Sequence, residues 1–217
     1  MIITIDGPAG SGKSTAAKLL AQNLGFIHFN SGALFRGVTA FLVDSGFPID
    51  QIKQNSNLPK MKLETKILDK VQHVFVNNKD YTSVLRNNEI STLVPLVALN
   101  LTCRTIVDDC QRAFAKDNNI VVEGRDTGSH VFPNAEIKFY LDCSIKERAK
   151  RRFLEEKAKN SNITLEKIEQ QIAERDHLDK SREIAPLVVP KNAIIIDSSN
   201  LSIEQVVETL KKHISTY

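Results

Sequence analysis

The stretch from residue 2 to residue 21 limits the possible folds of this chain more than any other. A short apolar run, Ile2 to Ile5, has the length and composition of a buried strand. It leads directly into the pattern Gly-x-x-x-x-Gly-Lys-Ser at residues 7–14. Residues 16–21 then contain strong helix formers and neither proline nor glycine. A strand, a glycine-rich loop and a helix in this order are typical of a nucleotide phosphate-binding loop.

The residue types in this loop suit a phosphate group. Gly7, Gly10 and Gly12 allow backbone angles that a Cβ atom disfavours, so the loop can wrap an anion with its N–H groups. The helix that follows directs unpaired N–H groups and the positive end of its dipole at the same anion. Lys13 supplies a mobile charge for the β- and γ-phosphates, and the hydroxyl of Ser14 is placed to ligate Mg²⁺. The alternative is a glycine-rich turn that binds nothing, and the order of elements argues against it.

Strands and helices alternate along much of the remaining chain. Apolar strands are predicted at residues 26–29, 120–122, 137–141 and 193–196. This alternation predicts an α/β fold of the P-loop NTPase type, with a central parallel sheet of about five strands between two layers of helices. Ligands in such folds bind beyond the carboxyl ends of the strands, so the residues that follow each strand are the candidates for function.

Residues 44–90 interrupt this alternation. Two-residue periodicity at 66–69 and 71–76, turn residues at 77–80 and a short strand at 81–85 predict an antiparallel patch of about three strands. We interpret this patch as an insert and not as a separate domain. Helices are predicted at residues 33–43, 89–99, 102–116, 145–159 and 165–177, with a break at 160–162 and a last helix opened by a capping box at Ser202 and Gln205.

Arginines follow two of the predicted strands. Arg36 lies one turn into the helix after the second strand, and Arg125 with Asp126 follows the strand at 120–122. A single arginine is usually an exposed or salt-bridged surface residue. Two arginines at the carboxyl ends of strands in one sheet favour a second anion site that faces the phosphate loop.

Two charged helices carry further arginines, namely Arg148, Arg151 and Arg152 on the first, and Arg175 and Arg182 on or after the second. Few large apolar residues lie between them, which indicates little buried apolar area and low local stability. A mobile, arginine-bearing flap would exclude water and neutralise charge during phosphoryl transfer. Taken by themselves, these charges are explained equally well by a solvated helical hairpin held by i,i+4 ion pairs.

Charge, cysteine and hydropathy patterns exclude several classes of protein. The net charge of +3 is too small to indicate nucleic-acid binding. The sequence contains no run of about 18 apolar residues, so we expect no transmembrane helix. The first strand begins at residue 2 and leaves no room for a leader, so we expect a cytoplasmic protein. Cys103, Cys110 and Cys143 match no zinc spacing, so we expect free thiols and no metal other than nucleotide-bound Mg²⁺. No coiled-coil heptads are visible, and we expect a monomer.

Seven blocks of the sequence carry a resemblance to a known family, namely residues 3–15, 30–36, 124–128, 131–135, 147–152, 175–187 and 197–204. They resemble bacterial cytidylate kinases, and the resemblance spans nearly the whole chain. The first block is shared by many kinases, whereas Gly124-Arg125-Asp126 and the pattern of Arg175, Asp179 and Arg182 are specific. The resemblance implies direct in-line transfer of a phosphoryl group from ATP to CMP or dCMP, with Mg²⁺, in pyrimidine nucleotide metabolism.

The resemblance also implies a division of one kinase domain, residues 1–217, into three parts. The core comprises residues 1–43, 91–147 and 183–217. An enlarged nucleoside-monophosphate-binding insert occupies about 44–90, which would explain the antiparallel patch, and a helical lid occupies about 148–182.

The roles of individual residues are likewise implied by the resemblance. For the acceptor, Arg36 and Arg125 are implied to contact the phosphate, Arg104, Asp126 and Arg182 to read the cytosine, and Arg175 and Asp179 to contact the sugar side. The complete set is, for catalysis, Lys13, Arg125, Arg148 and Arg151; for ATP, Gly7, Pro8, Ala9, Gly10, Ser11, Gly12, Lys13, Ser14, Thr15 and Arg152; for Mg²⁺, Ser14; and for the acceptor, Ser31, Arg36, Arg104, Arg125, Asp126, Arg175, Asp179 and Arg182.

Three positions depart from the family pattern. Pro95 stands where the family usually has a serine that contacts the base, and proline has neither a hydroxyl nor an N–H. One contact to the cytosine is therefore left open, and so is the strength of the preference for CMP over UMP. Glu123 replaces a frequent aspartate and is one methylene longer. Leu178 replaces a frequent arginine, so the lid side carries less positive charge.

Two classes of alternative remain at the level of sequence. Another small kinase, acting on UMP and CMP, adenylate, shikimate or dephospho-coenzyme A, would share the phosphate loop. A GTP-binding switch would need an Asn-Lys-x-Asp guanine reader. Asn78-Lys79-Asp80 is one residue short of that motif and lies in a predicted turn, so the switch is the weaker alternative.

Overall fold

The structure is a computed structural model, which forms two compact units along the chain. Unit 1 comprises Met1–His28 and Ile120–Tyr217, and unit 2 comprises Phe29–Asn119. The described residues are 1–52, 57–85, 87–157 and 163–214. In chain order the strands and α-helices are β1 (Ile2–Asp6), α1 (Lys13–Leu24), β2 (Ile27–Asn30), α2 (Ser31–Asp44), β3 (Leu63–Leu68), β4 (Val71–Val76), β5 (Lys79–Asp80), α3 (Asn88–Val97), α4 (Leu101–Ala115), β6 (Ile120–Glu123), β7 (Ile137–Asp142), α5 (Ile145–Lys157), α6 (Leu165–Lys180), β8 (Ile194–Asp197) and α7 (Ile203–Ile214).

The main sheet has five strands in the order β2-β6-β1-β7-β8, and β2 spans the point where unit 1 gives way to unit 2 along the chain. Strand β1 pairs in parallel with both β6 and β7, and β7 pairs in parallel with β8. The predicted parallel sheet of about five strands is therefore confirmed. Its carboxyl ends place the residues that follow β1, β6, β7 and β8 at one edge.

Strand β1 lies at the centre of the apolar core of unit 1. Ile3 and Ile5 are completely buried, as expected for a strand with helices on its faces. Leu20 of α1, Phe139 of β7 and Leu210 of α7 belong to the same cluster. Burial of a side chain of this size contributes about 1.5–3 kcal/mol each, so the core fixes the position of β1 and of the loop that follows it.

Unit 2 contains a three-stranded antiparallel sheet in the order β3-β4-β5, together with α2, α3 and α4. Helix α2 packs closely on β4, because a Cβ atom at Gly37 would lie 2.4 Å from a methyl carbon of Val74. The side chain of Asn30 caps α2 by accepting a hydrogen bond from the Ala33 N–H at 3.0 Å. The predicted antiparallel patch is confirmed.

The third antiparallel strand differs from the prediction. The strand is Lys79–Asp80, within the predicted turn, whereas Thr82–Val84 form a 3-10 turn in place of the strand predicted at 81–85. The physical reason is the carboxylate of Asp80, which accepts hydrogen bonds from the N–H of Thr82 at 2.7 Å and from its hydroxyl at 2.5 Å. Such a local side-chain bond competes with strand pairing and turns the chain.

The other helices and strands agree with the prediction within a few residues at their ends. The capping box is confirmed, since Ser202 N–H donates to Gln205 Oε1 at 2.8 Å and Gln205 N–H donates to Ser202 Oγ at 3.3 Å. The break predicted at residues 160–162 lies outside the described residues. The sequence pattern missed a five-residue π-helical turn at Thr127–Val131.

Among the described residues, no single helix is long and apolar enough to cross a bilayer, and α3 with α4 meets that criterion only as a pair bent by 105°.

The three cysteines are free thiols, and Cys103 and Cys143 are buried. Burial raises the pKa of the Cys103 and Cys110 thiols to about 12, so both are protonated at neutral pH.

Candidate active site

The loop between β1 and α1 has the backbone that its glycines predict. The φ angles of Gly7, Gly10 and Gly12 are 149°, 77° and 90°, all in the region that favours glycine. Gly7 also needs its missing side chain for space, because a Cβ atom there would lie 2.2 Å from the carbonyl oxygen of Leu141 in β7. The loop is thus pressed against the neighbouring strand, and its N–H groups and those of the first turn of α1 lie at the start of that helix.

Lys13 opens α1 and points back into the loop. Its side chain is only 4% exposed, and its Nζ donates to the carbonyl of Pro8 at 2.6 Å and to Ser11 Oγ at 3.3 Å. Burial, followed by the positive charge of Arg125, lowers the pKa of Lys13 to about 7. At neutral pH Lys13 is therefore only partly charged, and a phosphate bound beside it would favour the fully charged ammonium form.

Two predicted arginines of α5 support the same loop. Arg148 is buried, and its Nη1 donates to the carbonyl of Ala9 at 3.0 Å. Arg151 donates through Nη2 to the carbonyl of Ser198 at 2.7 Å, and the Ser198 hydroxyl donates to the carbonyl of Ser11 at 3.1 Å. The structure therefore brings both arginines to the phosphate loop, one directly and one through the turn after β8.

Arg152 is placed differently from Arg148 and Arg151. Its side chain is 45% exposed and pairs with Glu155 at 3.2 Å and Glu156 at 2.9 Å on its own helix. Exposed pairs of this kind contribute little to stability. A contact from Arg152 to a nucleotide stays a prediction.

Ser14 and Glu123 form a direct link between α1 and the end of β6. The Ser14 hydroxyl donates to Glu123 Oε1 at 2.8 Å. A hydroxyl and a carboxylate are hard oxygen ligands of the type that Mg²⁺ prefers. The donor set therefore fits a magnesium ion. The side chain of Glu123, one methylene longer than aspartate, is long enough to bond the Ser14 hydroxyl directly.

Three of the predicted acceptor arginines converge on one carboxylate. Asp179 is 3% exposed and accepts from Arg125 Nε at 2.9 Å, from Arg182 Nη2 at 3.0 Å and from Arg175 Nε at 3.4 Å. Burial alone would raise the pKa of Asp179, but the three guanidinium groups outweigh it and hold that pKa below its usual range. The cluster keeps a net positive charge of two, so it can attract a further anion.

Helix α6 and the turn after it position these groups. Thr164 caps α6 by accepting from the N–H of Lys167 at 3.3 Å, and Asp176 of the same helix accepts from Arg148 Nη2 at 2.6 Å. Ile168 and Ile172 pack with Ala149 of α5 in a small separate apolar cluster. The two charged helices are thus joined both by apolar contact and by a buried ion pair.

Two residues that the sequence reasoning missed lie beside the candidate site. Asp6, the last residue of β1, is completely buried and accepts three hydrogen bonds from Thr127 and Gly128. Ser198 follows β8 and holds the phosphate loop as described above. Both stand at the carboxyl ends of strands, so the rule that drew attention to Arg125 also pointed to them.

The remaining predicted acceptor residues belong to unit 2. Ser31 is buried at the start of α2, and Arg36 of the same helix donates to Asn30 Oδ1 at 3.3 Å. Arg104 of α4 is buried, and its Nε and Nη2 donate to the carbonyl of Ala98 at 3.3 Å and 3.0 Å. The Arg104 guanidinium also lies 5.3 Å from the ring centroid of Phe35, within the range of a cation–π contact.

Comparisons with known proteins give the same assignment as the sequence motifs. A family model described as cytidylate kinase matches residues 3–216. A cytidylate kinase of Geobacillus sp. (strain WCH70) is 41% identical over 209 residues, which cover 96% of this chain and 93% of the relative. One of Caldicellulosiruptor bescii is 41% identical over 207 residues, which cover 95% of this chain and 92% of the relative. The resemblance drawn from the motifs is thereby confirmed.

A likeness among solved structures concerns the fold alone. A shikimate kinase from Bacteroides thetaiotaomicron superposes with a TM-score of 0.51 at 10% sequence identity, covering 99% of this chain and 98% of that one. At this identity the likeness carries no information about the substrate. It agrees with the P-loop kinase architecture predicted from the order of strands and helices.

Proposed function

Because this chain belongs to the cytidylate kinase family, we propose that it transfers the γ-phosphoryl group of ATP to CMP and dCMP, giving ADP with CDP or dCDP. The observation that carries the proposal is the proximity of two cationic groups at the phosphate loop in unit 1. Lys13 is buried in that loop, and Arg148 Nη1 donates to the carbonyl of Ala9 of the same loop at 3.0 Å. Like charges held together in this way favour a site for anions, as two phosphate groups would provide.

The proposed mechanism is a direct in-line transfer with no covalent intermediate on the protein. The transition state of such a transfer is loose and strongly anionic, so alignment and charge neutralisation supply most of the catalysis. Lys13 would follow the transferred phosphoryl group, and Arg148 and Arg151 would neutralise charge from α5. The acceptor phosphate is already ionised near neutral pH, so no general base is required.

We propose that ATP is bound with Mg²⁺. The Ser14 hydroxyl, with the Glu123 carboxylate beside it, would hold the ion. Bound there, Mg²⁺ would neutralise charge on the β- and γ-phosphates.

The acceptor residues are proposed from the family pattern and from their chemistry. In unit 1, the proposed ligands are Arg125 and Asp126 after β6, together with Arg175, Asp179 and Arg182. In unit 2, they are Ser31, Arg36 and Arg104, with Arg36 for the phosphate and Arg104 for the base. The insert at 44–90, the lid at 148–182, the cytoplasmic location and the monomeric state stay predictions.

Turnover of a panel of acceptors tests the proposal. With ATP and Mg²⁺ held constant, CMP and dCMP are expected to be phosphorylated rapidly, UMP more slowly, and AMP and shikimate at background. ADP formation in a coupled assay is the measurement, and the Lys13→Ala variant, prepared identically, defines the background. Preferred turnover of AMP or shikimate would contradict the proposal, and displacement of bound nucleotide by GTP but not by ATP would favour the switch.

The pH dependence of ATP binding follows from the pKa of Lys13. That pKa is about 7 in the free chain, and a bound phosphate would raise it because an adjacent negative charge favours the ammonium form. Between about pH 7 and 10 the complex therefore holds more protons than the free chain, so affinity is expected to fall as the pH rises. Calorimetry at pH 8.5, in two buffers with different ionisation enthalpies, should register uptake of close to one proton per ATP.

Matched variants separate Lys13 from other titrating groups. Lys13→Gln should abolish the proton uptake, whereas Lys18→Gln, which replaces an exposed lysine of the same helix, should retain it. Binding without proton uptake by the unaltered chain at pH 8.5 would mean that Lys13 is already fully charged.

A further inference from the structure

Strand β1 and the segment after β6 are held together beyond the point where their backbones pair. Strand pairing ends with the Gly124 N–H, which donates to the carbonyl of Ile5 at 3.1 Å. The next residues, Arg125 and Asp126, leave the sheet and lead into the π-helical turn at Thr127–Val131. Among the residues that the structure describes, the pairing of β1 with β6 does not extend to this turn, so its position relative to the phosphate loop depends on side chains.

Asp6 supplies the missing link. Its Oδ1 accepts from the N–H of Thr127 at 2.9 Å and from the Thr127 hydroxyl at 2.7 Å, and its Oδ2 accepts from the N–H of Gly128 at 2.7 Å. The first N–H groups of a helical turn lack partners within the turn, and Asp126, the residue before it, makes no side-chain cap. Asp6 therefore caps the turn from a strand that lies 121 residues away along the chain.

The contact is close and dry. Asp6 is 0% exposed, and a Cβ atom at Gly128 would lie 2.5 Å from the Thr4 hydroxyl and 3.3 Å from Asp6 Oδ2. Only glycine allows the turn to approach β1 this closely. Burial raises the pKa of Asp6 to about 6, against the opposing hydrogen bonds from Gly128 and Thr127, so the side chain is ionised at pH 8.

We propose that Asp6 is a positioning residue for phosphoryl transfer, whose carboxylate holds the turn at 127–131, and with it Arg125 and Asp126, in register with the phosphate loop. This inference rests on the proposed function. Asp6 directly precedes Gly7, so one residue joins the segment that would hold ATP to the segment that would hold the acceptor. In-line transfer tolerates little error in the relative position of the donor and acceptor phosphates, and a misplacement of about 1 Å can reduce the rate about 100-fold.

Two variants test the proposal in different ways. Asp6→Asn keeps the shape but turns an NH₂ group towards the Gly128 N–H, so one bond is lost and two donors face each other. Thr127→Val removes the hydroxyl bond and leaves the charge of Asp6 in place. At pH 8, kcat/KM for CMP is expected to fall about 100-fold in Asp6→Asn and about tenfold in Thr127→Val, while the Kd for ATP stays nearly unchanged.

The controls distinguish positioning from loss of stability. Thr127→Ser should restore kcat/KM, and Asp142→Asn, which replaces the exposed aspartate at the end of β7, should leave it unchanged. In Asp6→Asn, amide hydrogen exchange of Thr127 and Gly128 should become faster than in the unaltered chain, and in Asp142→Asn it should not. Asp6→Asn with unchanged kcat/KM, or with a rise in the Kd for ATP as large as the fall in kcat/KM, would overturn the proposal.

The test separates this inference from the function on which it rests. Absence of CMP turnover by the unaltered chain would overturn the proposed function. The exchange rates of Thr127 and Gly128 do not depend on turnover, and unchanged rates in Asp6→Asn would overturn the role of Asp6 in any case.

Discussion

Replacing Lys13 with methionine is expected to lower kcat/KM for CMP by about 1000-fold or more, close to the loss of one or more strong contacts to the transition-state oxyanion. Methionine keeps most of the length and the apolar stem of lysine but carries no charge. The Nζ of Lys13 is the one loop cation that follows the transferred group in the proposed mechanism. Rates of ADP formation, measured with saturating ATP and Mg²⁺, give the result.

The same variant should not unfold the protein. Burial lowers the pKa of Lys13 to about 7, which means that the folded chain disfavours the ammonium form. The variant loses a desolvation penalty but also the hydrogen bonds from Nζ to Pro8 and Ser11, so the midpoint of urea unfolding at pH 7 is expected to change little. Lys18→Met, on the exposed face of α1, should change neither property. Near-normal ADP formation by Lys13→Met would refute the mechanism.

Replacing Asp179 with asparagine is expected to lower both activity and stability, because it removes the anion that three arginines share. Arg125, Arg175 and Arg182 would then lose the carboxylate that they share and repel one another more strongly, and we expect kcat/KM for CMP to fall about 100-fold as they separate. Unfolding free energy should fall by about 1–3 kcal/mol, less than for a fully buried pair because Arg125 and Arg175 are partly solvated. Steady-state kinetics and urea denaturation measure the two effects.

The pH dependence of the unaltered chain provides an independent check on Asp179. Its folded pKa lies below its usual value, so its contribution to stability is present above about pH 4 and is lost as the pH falls below that value. The difference in stability between the two proteins should therefore shrink in acid. Glu208→Gln, which breaks a pair whose glutamate is 60% exposed, is the matched control and should cost less than about 1 kcal/mol. An effect of Asp179→Asn no larger than this control would contradict the assignment.

The sequence was sufficient for those parts of the site that depend on neighbouring residues. Residues 2–21 specify a strand, a turn of defined backbone and a helix, all by local rules, and the structure agrees with each. The capping box at Ser202 and Gln205 is equally local. Arg125 could be selected because it lies just after the end of a strand of recognisable composition.

Long-range contacts explain what the sequence did not predict. The bond between Asp6 and Thr127 spans 121 positions, and no periodicity connects residues so far apart. Asp179 was singled out only by resemblance, and its pairing with Arg125 spans 54 positions. The misplaced strand at 81–85 has the opposite origin, since a local bond from Thr82 to Asp80 overrode a weak preference for strand.

The close approach of Gly7 to β7 has a consequence for the thermodynamics of nucleotide recognition. A glycine-rich segment samples many conformations in the unfolded chain, and ordering it is entropically unfavourable. Here the carbonyl of Leu141 restricts the segment as soon as the sheet forms. The conformational entropy of the loop is therefore lost during folding and not during binding. Because the loop amides are already ordered, less of the free energy of their interaction with a triphosphate is spent on ordering the loop, and the affinity is higher.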